Sequence, residues 1–183
     1  MSGTESKSGY EDKAKTINAF KRLDTFLYDT LYSMHDHMPL RFAKLIAMYY
    51  PDARMRKRYA DYIGVSMGAG TFCNLGLTVT KNENEICVHM GKNVSVAPNV
   101  TFICLSTPNN SKVLAEIDYV KNHLIKSSDI TVGDDVWIGA NVTIFPGVAI
   151  GACSVIGAGS MVMQDVEPYS IYAGTPAKKI RDL

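Results

Sequence analysis

The fold is decided by residues 132–162, VGDDVWIGANVTIFPGVAIGACSVIGAGSMV, where an aliphatic residue recurs at every sixth position. The recurring residues are Val132, Ile138, Ile144, Ile150, Ile156 and Val162. A small or branched residue follows four positions after each of them, in the series Val136, Val142, Val148, Ser154, Ser160 and Val166. A hexapeptide period is typical of parallel β-helices, in which each hexad forms a short strand and a corner. We therefore expect the six aliphatic side chains to point into the core of a β-helix.

The same period extends upstream to Met90, Val96 and Phe102, and less regularly to Met67, Cys73 and Val79. Thirty residues separate Phe102 from Val132, so the repeat resumes in phase after an interruption. The interrupting segment, residues 104–130, is polar at one end and charged and weakly helical at the other. We interpret it as a long loop projecting from one corner, a usual place for function on a rigid scaffold.

The period also assigns Trp137 to the outside of the β-helix. Side chains alternate along a strand, so Val136 and Ile138 inside place Trp137 outside. An exterior tryptophan suggests contact with a neighbouring subunit or a ligand, or simple shielding of the wall.

Residues 1–64 form a helical segment in this interpretation. An apolar stripe with helical spacing predicts a first helix, Pro39 interrupts it, and a second short helix ends at Pro51. Asp52 is positioned to cap a third helix and Gly64 to end it. The polar first ten or so residues are expected to be disordered. Residues 65–183 then form the β-helix and a basic C-terminal tail.

Composition restricts the class of protein. The 183 residues suit one domain, and the net charge of +1 gives no reason to expect a nucleic-acid partner. No apolar run reaches membrane-spanning length, and the N-terminus lacks the apolar region of a signal peptide. The four cysteines show no metal-binding spacing and are interpreted as reduced thiols of a cytoplasmic protein. Cys104, near the loop, is the one with potential for reactivity.

Three stretches identify the chain as similar to a known family. VGDDVWIGANVTIFPGVAIG (132–151), SVIGAGSMV (154–162) and AGTPAKKIRDL (173–183) closely resemble the signature of the hexapeptide O-acetyltransferases of the maltose/galactoside kind. The resemblance is strong over residues 86–102 and 130–183. It implies a homotrimer that transfers acetyl from acetyl-CoA to a sugar hydroxyl, with active sites between subunits and no metal cofactor. The expected fold is mainly β: a left-handed parallel β-helix with N-terminal α-helices and one projecting loop.

The resemblance also implies a site for acetyl-CoA. It assigns the donor to a groove parallel to the β-helix axis, along Trp137, Ala140 and Ala158, with Lys178 and Arg181 for the phosphates. Ala140 and Ala158 are eighteen residues apart, three hexads, so they should stack at one corner. Both features also have plainer explanations. Small residues are usual wherever the chain turns a corner, and a basic C-terminal tail can simply be exposed to solvent.

One expected catalytic residue is replaced. Acetyl transfer to a hydroxyl needs a base, and histidine suits neutral pH. The family carries this histidine in a His-Pro step, where the present chain has Thr107 and Pro108. We expect His123, in the projecting loop, to act as the base. His89 is a second candidate, and the remaining alternatives are an unrecognised base and loss of catalysis.

The acceptor and the competing functions follow from the same comparison. Asn74 matches a family asparagine at the acceptor site, and Asn82 falls near an acidic acceptor contact of the family.

The leading function is a CoA-dependent O-acyltransferase acting on a sugar or similar small molecule. The alternatives are a non-catalytic trimeric binding or assembly protein, favoured by Thr107, and a β-helical zinc enzyme. The zinc enzyme needs about three converging histidines, and only His89 and His123 lie in or beside the β-helix.

Overall fold

The fold is described from a computed structural model that covers residues 7–81 and 85–183, with side chains from residue 18 onward. The chain divides into two compact units, residues 1–38 and 39–183. Asn82 and most of the expected disordered start lie outside the described residues. Within them, no helix is long and apolar enough to cross a membrane.

The first unit consists of helix α1, Lys7–Ser33, followed by a short 3-10 helix, His35–His37. The apolar stripe predicted for α1 is exposed to solvent, with Phe20 at 67% and Leu27 at 50% exposure.

The second unit begins with α2, Leu40–Tyr49, and α3, Ala53–Arg58, which pack against the start of the β structure. The predicted cap of α3 is confirmed, because Asp52 accepts hydrogen bonds from the backbone N–H groups of Arg54 and Met55. Gly64 ends the helical part with a left-handed φ of 85°. The buried Arg56 guanidinium then ties α3 to the first coil by donating to the Cys73 carbonyl at 2.8 Å.

Four coils of three short strands follow. The strands are β1 Val65–Met67, β2 Phe72–Cys73, β3 Thr78–Thr80, β4 Val88–Met90, β5 Ser95–Val96, β6 Thr101–Ile103, β7 Leu105–Ser106, β8 Lys126–Ser127, β9 Ile130–Val132, β10 Trp137–Ile138, β11 Thr143–Ile144, β12 Ala149–Ile150, β13 Val155–Ile156, β14 Met161–Val162, β15 Ser170–Gly174 and β16 Ala177–Asp182. All except β7 and β8 form three walls: wall A (β1, β4, β9, β12), wall B (β2, β5, β10, β13, β15, β16) and wall C (β3, β6, β11, β14). Twelve of these strands make the four coils, and the hairpin of β15 and β16 extends wall B beyond them. Pairing along each wall is parallel except between β15 and β16. The predicted parallel β-helix is therefore present, including its irregular first coil.

The predicted core is confirmed at every position. Val132, Ile138, Ile144, Ile150, Ile156 and Val162 are at most 4% exposed, and so are the six residues of the second series. The corner between walls B and C turns at residues with left-handed φ, which are Gly76 and Gly159 on the first and fourth coils and Asn99 and Asn141 on the second and third.

The interrupting segment leaves the repeat in phase, as expected. β9 pairs directly with β4, matching Val88 with Ile130 and Met90 with Val132, although the segment lies between the two coils. At its base β7 and β8 form an antiparallel pair. Its tip holds a short helix α4, Lys112–Glu116, and a π-helical turn, Val120–Leu124.

The core positions carry the stability of the coils. We expect Ile144→Ala to lower the free energy of unfolding by about 2–5 kcal/mol, because it leaves a cavity in a fully buried layer. Ser95→Ala, on the exposed side of wall B, is the matched control and should change it by no more than about 0.5 kcal/mol. Denaturant unfolding at fixed protein concentration measures both. Equal effects of the two substitutions would contradict the register.

Candidate active site

The corner between walls B and C brings together residues predicted from separate motifs. Backbone hydrogen bonds run up this corner from Asn74 N to Val96 O (2.9 Å), Ala97 N to Ile138 O (2.9 Å), Gly139 N to Ile156 O (2.8 Å) and Gly157 N to Tyr172 O (2.8 Å). Asn74, Gly139 and Gly157 are therefore equivalent positions on different coils. Ala140 and Ala158 come next on the third and fourth coils, so the predicted stack of these alanines is confirmed. We call this feature the small-residue corner (residues 74–75, 97–98, 139–140 and 157–158).

The small-residue corner leaves the backbone accessible. Ala158 is exposed and Ala140 is half-buried. A Cβ atom added to Gly139 would lie 2.6 Å from the Ala158 nitrogen, so a side chain at this position would force successive coils apart. Adjacent parallel strands are about 4.8 Å apart, which gives an extended ligand a regular series of contacts.

The C-terminal hairpin meets one end of this corner. β15 and β16 are joined through Thr175 and Pro176, and Thr175 Oγ1 donates to the Gly159 carbonyl at 3.3 Å. Gly174 N donates to Ser160 Oγ at 3.1 Å. The hairpin turn is thus fixed beside Ala158, and Lys178 follows the turn opposite Ala173.

The three basic residues of the hairpin are not equivalent. Lys179 forms ion pairs of 2.6 Å with both Glu167 and Asp182, and the Asp182 and Glu167 carboxylates raise the pKa of Lys179. Lys178 and Arg181 are exposed and form no ion pair within residues 85–183. The two positions predicted for an anionic ligand are therefore the two whose charge is not already neutralised.

Trp137 lies on the outside of wall B, as predicted, with 58% of its surface exposed. It is in register between Ser95 and Val155, and Phe72 lies at the equivalent position on the first coil. The indole therefore flanks the small-residue corner, three residues before Ala140.

A cavity of about 600 Å³ lies at the edge of wall C opposite the small-residue corner, between α2 and the ends of β3 and β6. Its lining includes Lys44 from α2, Lys81 after β3, Ser106 at the end of β7, and Thr107 and Asn109 after it. The sequence did not predict this cavity, because nothing in the helical periodicity of α2 says which wall it covers.

Thr107 faces this cavity with its hydroxyl already engaged. Thr107 Oγ1 donates to Asn109 Oδ1 at 2.9 Å and accepts from Asn109 N at 3.3 Å. The hydroxyl thus stabilises the turn after β7. A threonine hydroxyl cannot act as a base at neutral pH.

The two candidate histidines lie apart, His123 near the tip of the projecting segment and His89 on β4 of wall A. His123 is exposed on the π-helical turn, where its ring stacks on Tyr119 at 4.6 Å and Nδ1 lies 3.2 Å from the Tyr119 carbonyl. His89 is exposed on wall A, with Nε2 3.0 Å from the carboxylate of Asp129 at the base of the segment. Neither is among the described residues that line the cavity.

The remaining predicted residues and the thiols are less informative. The Asn74 side chain accepts from the Leu75 N–H at 2.9 Å, a local turn contact. Burial raises the pKa of the Cys73 thiol to about 12, and burial also raises the pKa of Cys104. Cys104 is 3% exposed, so it packs as a small apolar residue instead of presenting a reactive thiolate.

Comparison with known proteins supplies the family. Residues 129–164 match the family described as bacterial transferase hexapeptide (six repeats). A probable macrolide acetyltransferase of Lysinibacillus sphaericus is 35% identical over 147 residues, which are 80% of this chain and 71% of the relative. This chain belongs to the hexapeptide-repeat acetyltransferase family.

Two further members of the family show how far the likeness extends. Galactoside O-acetyltransferase of Escherichia coli K12 is 39% identical over 119 residues, 65% of this chain and 54% of that protein. The chain thus spans about half the length of that relative. A hexapeptide-repeat acetyltransferase of Vibrio cholerae O1 biovar eltor, solved in complex with acetyl-CoA, is 26% identical with a TM-score of 0.61. That alignment covers 85% of this chain and 88% of the other.

Proposed function

We propose that this protein is an acetyl-CoA-dependent O-acetyltransferase that modifies a hydroxyl of a sugar or a similar small molecule. The observation that carries the proposal is the small-residue corner, which runs from Asn74 past Ala140 and Ala158 to the basic hairpin. The donor class is supported by the acetyl-CoA complex of the Vibrio relative. The sugar class is supported by the galactoside acetyltransferase relative.

In this proposal the donor lies along the small-residue corner, parallel to the β-helix axis. The pantetheine arm passes the backbone at Ala140 and Ala158, with Trp137 beside it. Lys178 and Arg181 bind the phosphates through charge-assisted hydrogen bonds. We also infer that the coils wind in the left-handed sense of the family.

The chemistry requires one proton acceptor. The acceptor oxygen attacks the thioester carbonyl, the new C–O bond forms, the C–S bond breaks, and CoA leaves as the thiol. The hydroxyl proton passes through the base to the leaving sulfur. Thr107 cannot take that proton, so we assign this role to His123, and Asn74 and Asn82 to the acceptor.

A homotrimer completes this arrangement. The small-residue corner precedes the strands of wall C, whereas Thr107 and the projecting segment follow β6. Donor and base positions thus lie on different edges of one three-sided β-helix. A ring in which one subunit's corner faces the next subunit's projecting segment brings them together, and it also covers Trp137.

The four cysteines support a cytoplasmic location. All are free thiols, and three are buried. Unpaired thiols are usual in reducing compartments, and a cytoplasmic enzyme has ready access to acetyl-CoA.

Blocking the corner tests the donor site. Ala158→Leu should raise the KM for acetyl-CoA about tenfold or more, because the added side chain fills the path of the pantetheine arm. Ala152→Leu is the matched control, since Ala152 follows Gly151 on the same coil at a different corner. Steady-state kinetics measure both variants. Equal effects of the two would place the donor elsewhere.

Removing the imidazoles tests the base. His123→Ala should lower kcat by roughly 10²–10⁴-fold with little change in the acetyl-CoA KM. His123→Gln should not restore activity, because an amide cannot take the proton. His89→Ala is the internal comparison and should keep kcat within a few-fold. Near-normal turnover of His123→Ala, with loss of turnover in His89→Ala, would transfer the role to His89 and its Asp129 partner.

Binding of CoA without turnover of any acceptor by the unmodified protein would instead favour a binding module.

Mixing two impaired variants, assayed at an acetyl-CoA concentration well below the KM of Ala158→Leu, tests whether the site is shared. Ala158→Leu and His123→Ala damage different halves, so mixed trimers should regain activity at about one site in four by random assembly in a ring. Each variant alone should remain weak under the same conditions. Absence of recovery, or a stable monomer at micromolar concentration in sedimentation, would show that one subunit holds the whole site.

A further inference from the structure

Two lysines face the cavity between α2 and wall C. Lys44 and Lys81 both line it, and neither forms an ion pair within the described residues. Lys81 Nζ donates to the Glu85 carbonyl at 2.8 Å. An ammonium group has three donors, so Lys81 retains N–H groups for a ligand.

The two ammonium groups interact with each other. Burial lowers the pKa of Lys81, and the positive charge of Lys44 lowers it further. The neighbouring Cys87, Glu85 and Asp61 act in the opposite direction, but none of them lines the cavity in the described part of the chain. A negatively charged group between the two lysines would reduce their mutual repulsion. It would also stabilise the positive charge of Lys81, which burial has deprived of part of its hydration.

The rest of the lining favours a ligand with an apolar portion. Six apolar side chains contribute to it: Leu40, Met48, Ile63, Val79, Ile103 and Leu105. Hydroxyl and amide groups gather at the end of β7, at Ser106, Thr107 and Asn109. No carboxylate lines the cavity among residues 39–81 and 85–183, although carboxylates are strong acceptors for the hydroxyls of a neutral sugar. The volume lies within the usual range for a small-molecule site.

We propose that this cavity binds the acyl acceptor and that the acceptor carries an anionic group held by Lys44 and Lys81. Its apolar portion packs against the aliphatic side chains, and the hydroxyl to be acylated lies towards the end of β7, where the projecting segment that carries His123 begins. This inference rests on the proposed function, because an acceptor site has meaning only for a transferase. The anion is a carboxylate or a phosphate, which share the same recognition chemistry.

Paired ligands that differ in charge test the site by binding alone. Titration calorimetry with p-nitrophenyl β-D-glucuronide and p-nitrophenyl β-D-glucoside compares a carboxylate with a neutral group on the same apolar aglycone. The glucuronide should bind at least about tenfold more tightly. Glucose 6-phosphate against glucose is the corresponding phosphate pair and shows which anion is preferred. Equal binding within both pairs would overturn the proposal.

Lysine variants show whether the two side chains cause the preference. Lys44→Met and the double variant with Lys81→Met should reduce the preference to about twofold or less, whereas Lys44→Arg should keep it. Lys92→Met, at an exposed position on another corner, is the matched control and should behave like the unmodified protein. Because Lys44 is exposed, its variant is expected to fold, and circular dichroism checks this. A preference that survives the double variant would refute the assignment.

Turnover separates this inference from the proposed function. If charge preference depends on the lysines but acetyl-CoA is never consumed, the binding site stands and the transferase proposal fails. If neutral acceptors are acetylated and neither lysine variant changes their kcat/KM or that of the anionic ones, the transferase stands and the anionic acceptor is wrong.

Discussion

The parallel hydrogen-bond ladder between successive coils constrains the rest of the structure. It aligns each residue with its equivalent on the next coil, as Ile138 aligns with Val96 and Ile156. The aliphatic residue at every sixth position fills the interior and prevents slippage, because a shift of one residue would expose the whole series. Equivalent surface positions on successive coils therefore recur along the axis at the spacing of adjacent strands.

This repetition produces the proposed donor site. A stack of small residues on one corner has no function in any single coil, but on successive coils it becomes a continuous path along exposed backbone. The hairpin of β15 and β16 then places Lys178 near its end, opposite Ala173, and Arg181 further along β16, opposite Ile171. Glu167 and Asp182 neutralise Lys179. In the proposed function, the rigid ladder thus fixes in advance the positions that a long, flexible donor contacts.

The same ladder tolerates the projecting segment. Its base is closed by the pairing of β7 and β8, and the coils on either side pair as though it were absent. Chemistry can therefore vary on this segment and at the cavity beside it without cost to the core. Thr107 stands where the resemblance to the family leads us to expect a histidine, and its hydroxyl is engaged in a turn, so it is an example of such variation. The two lysines of the cavity are another, because they lie on α2 and on the connection after β3, outside the repeating positions.

The sequence by itself determined the coils, the buried series, the outward Trp137, the caps at Asp52 and Gly64, and the stacking of Ala140 on Ala158. Each follows from a local period or a local turn, which a single sequence displays directly. Tertiary structure alone decided that α2 packs beside wall C to form a cavity with Lys44 and Lys81, and that Asp129 contacts His89. It also decided which of the three basic residues is already paired. These contacts join residues far apart in sequence through the packing of irregular segments, and no period records where such segments lie.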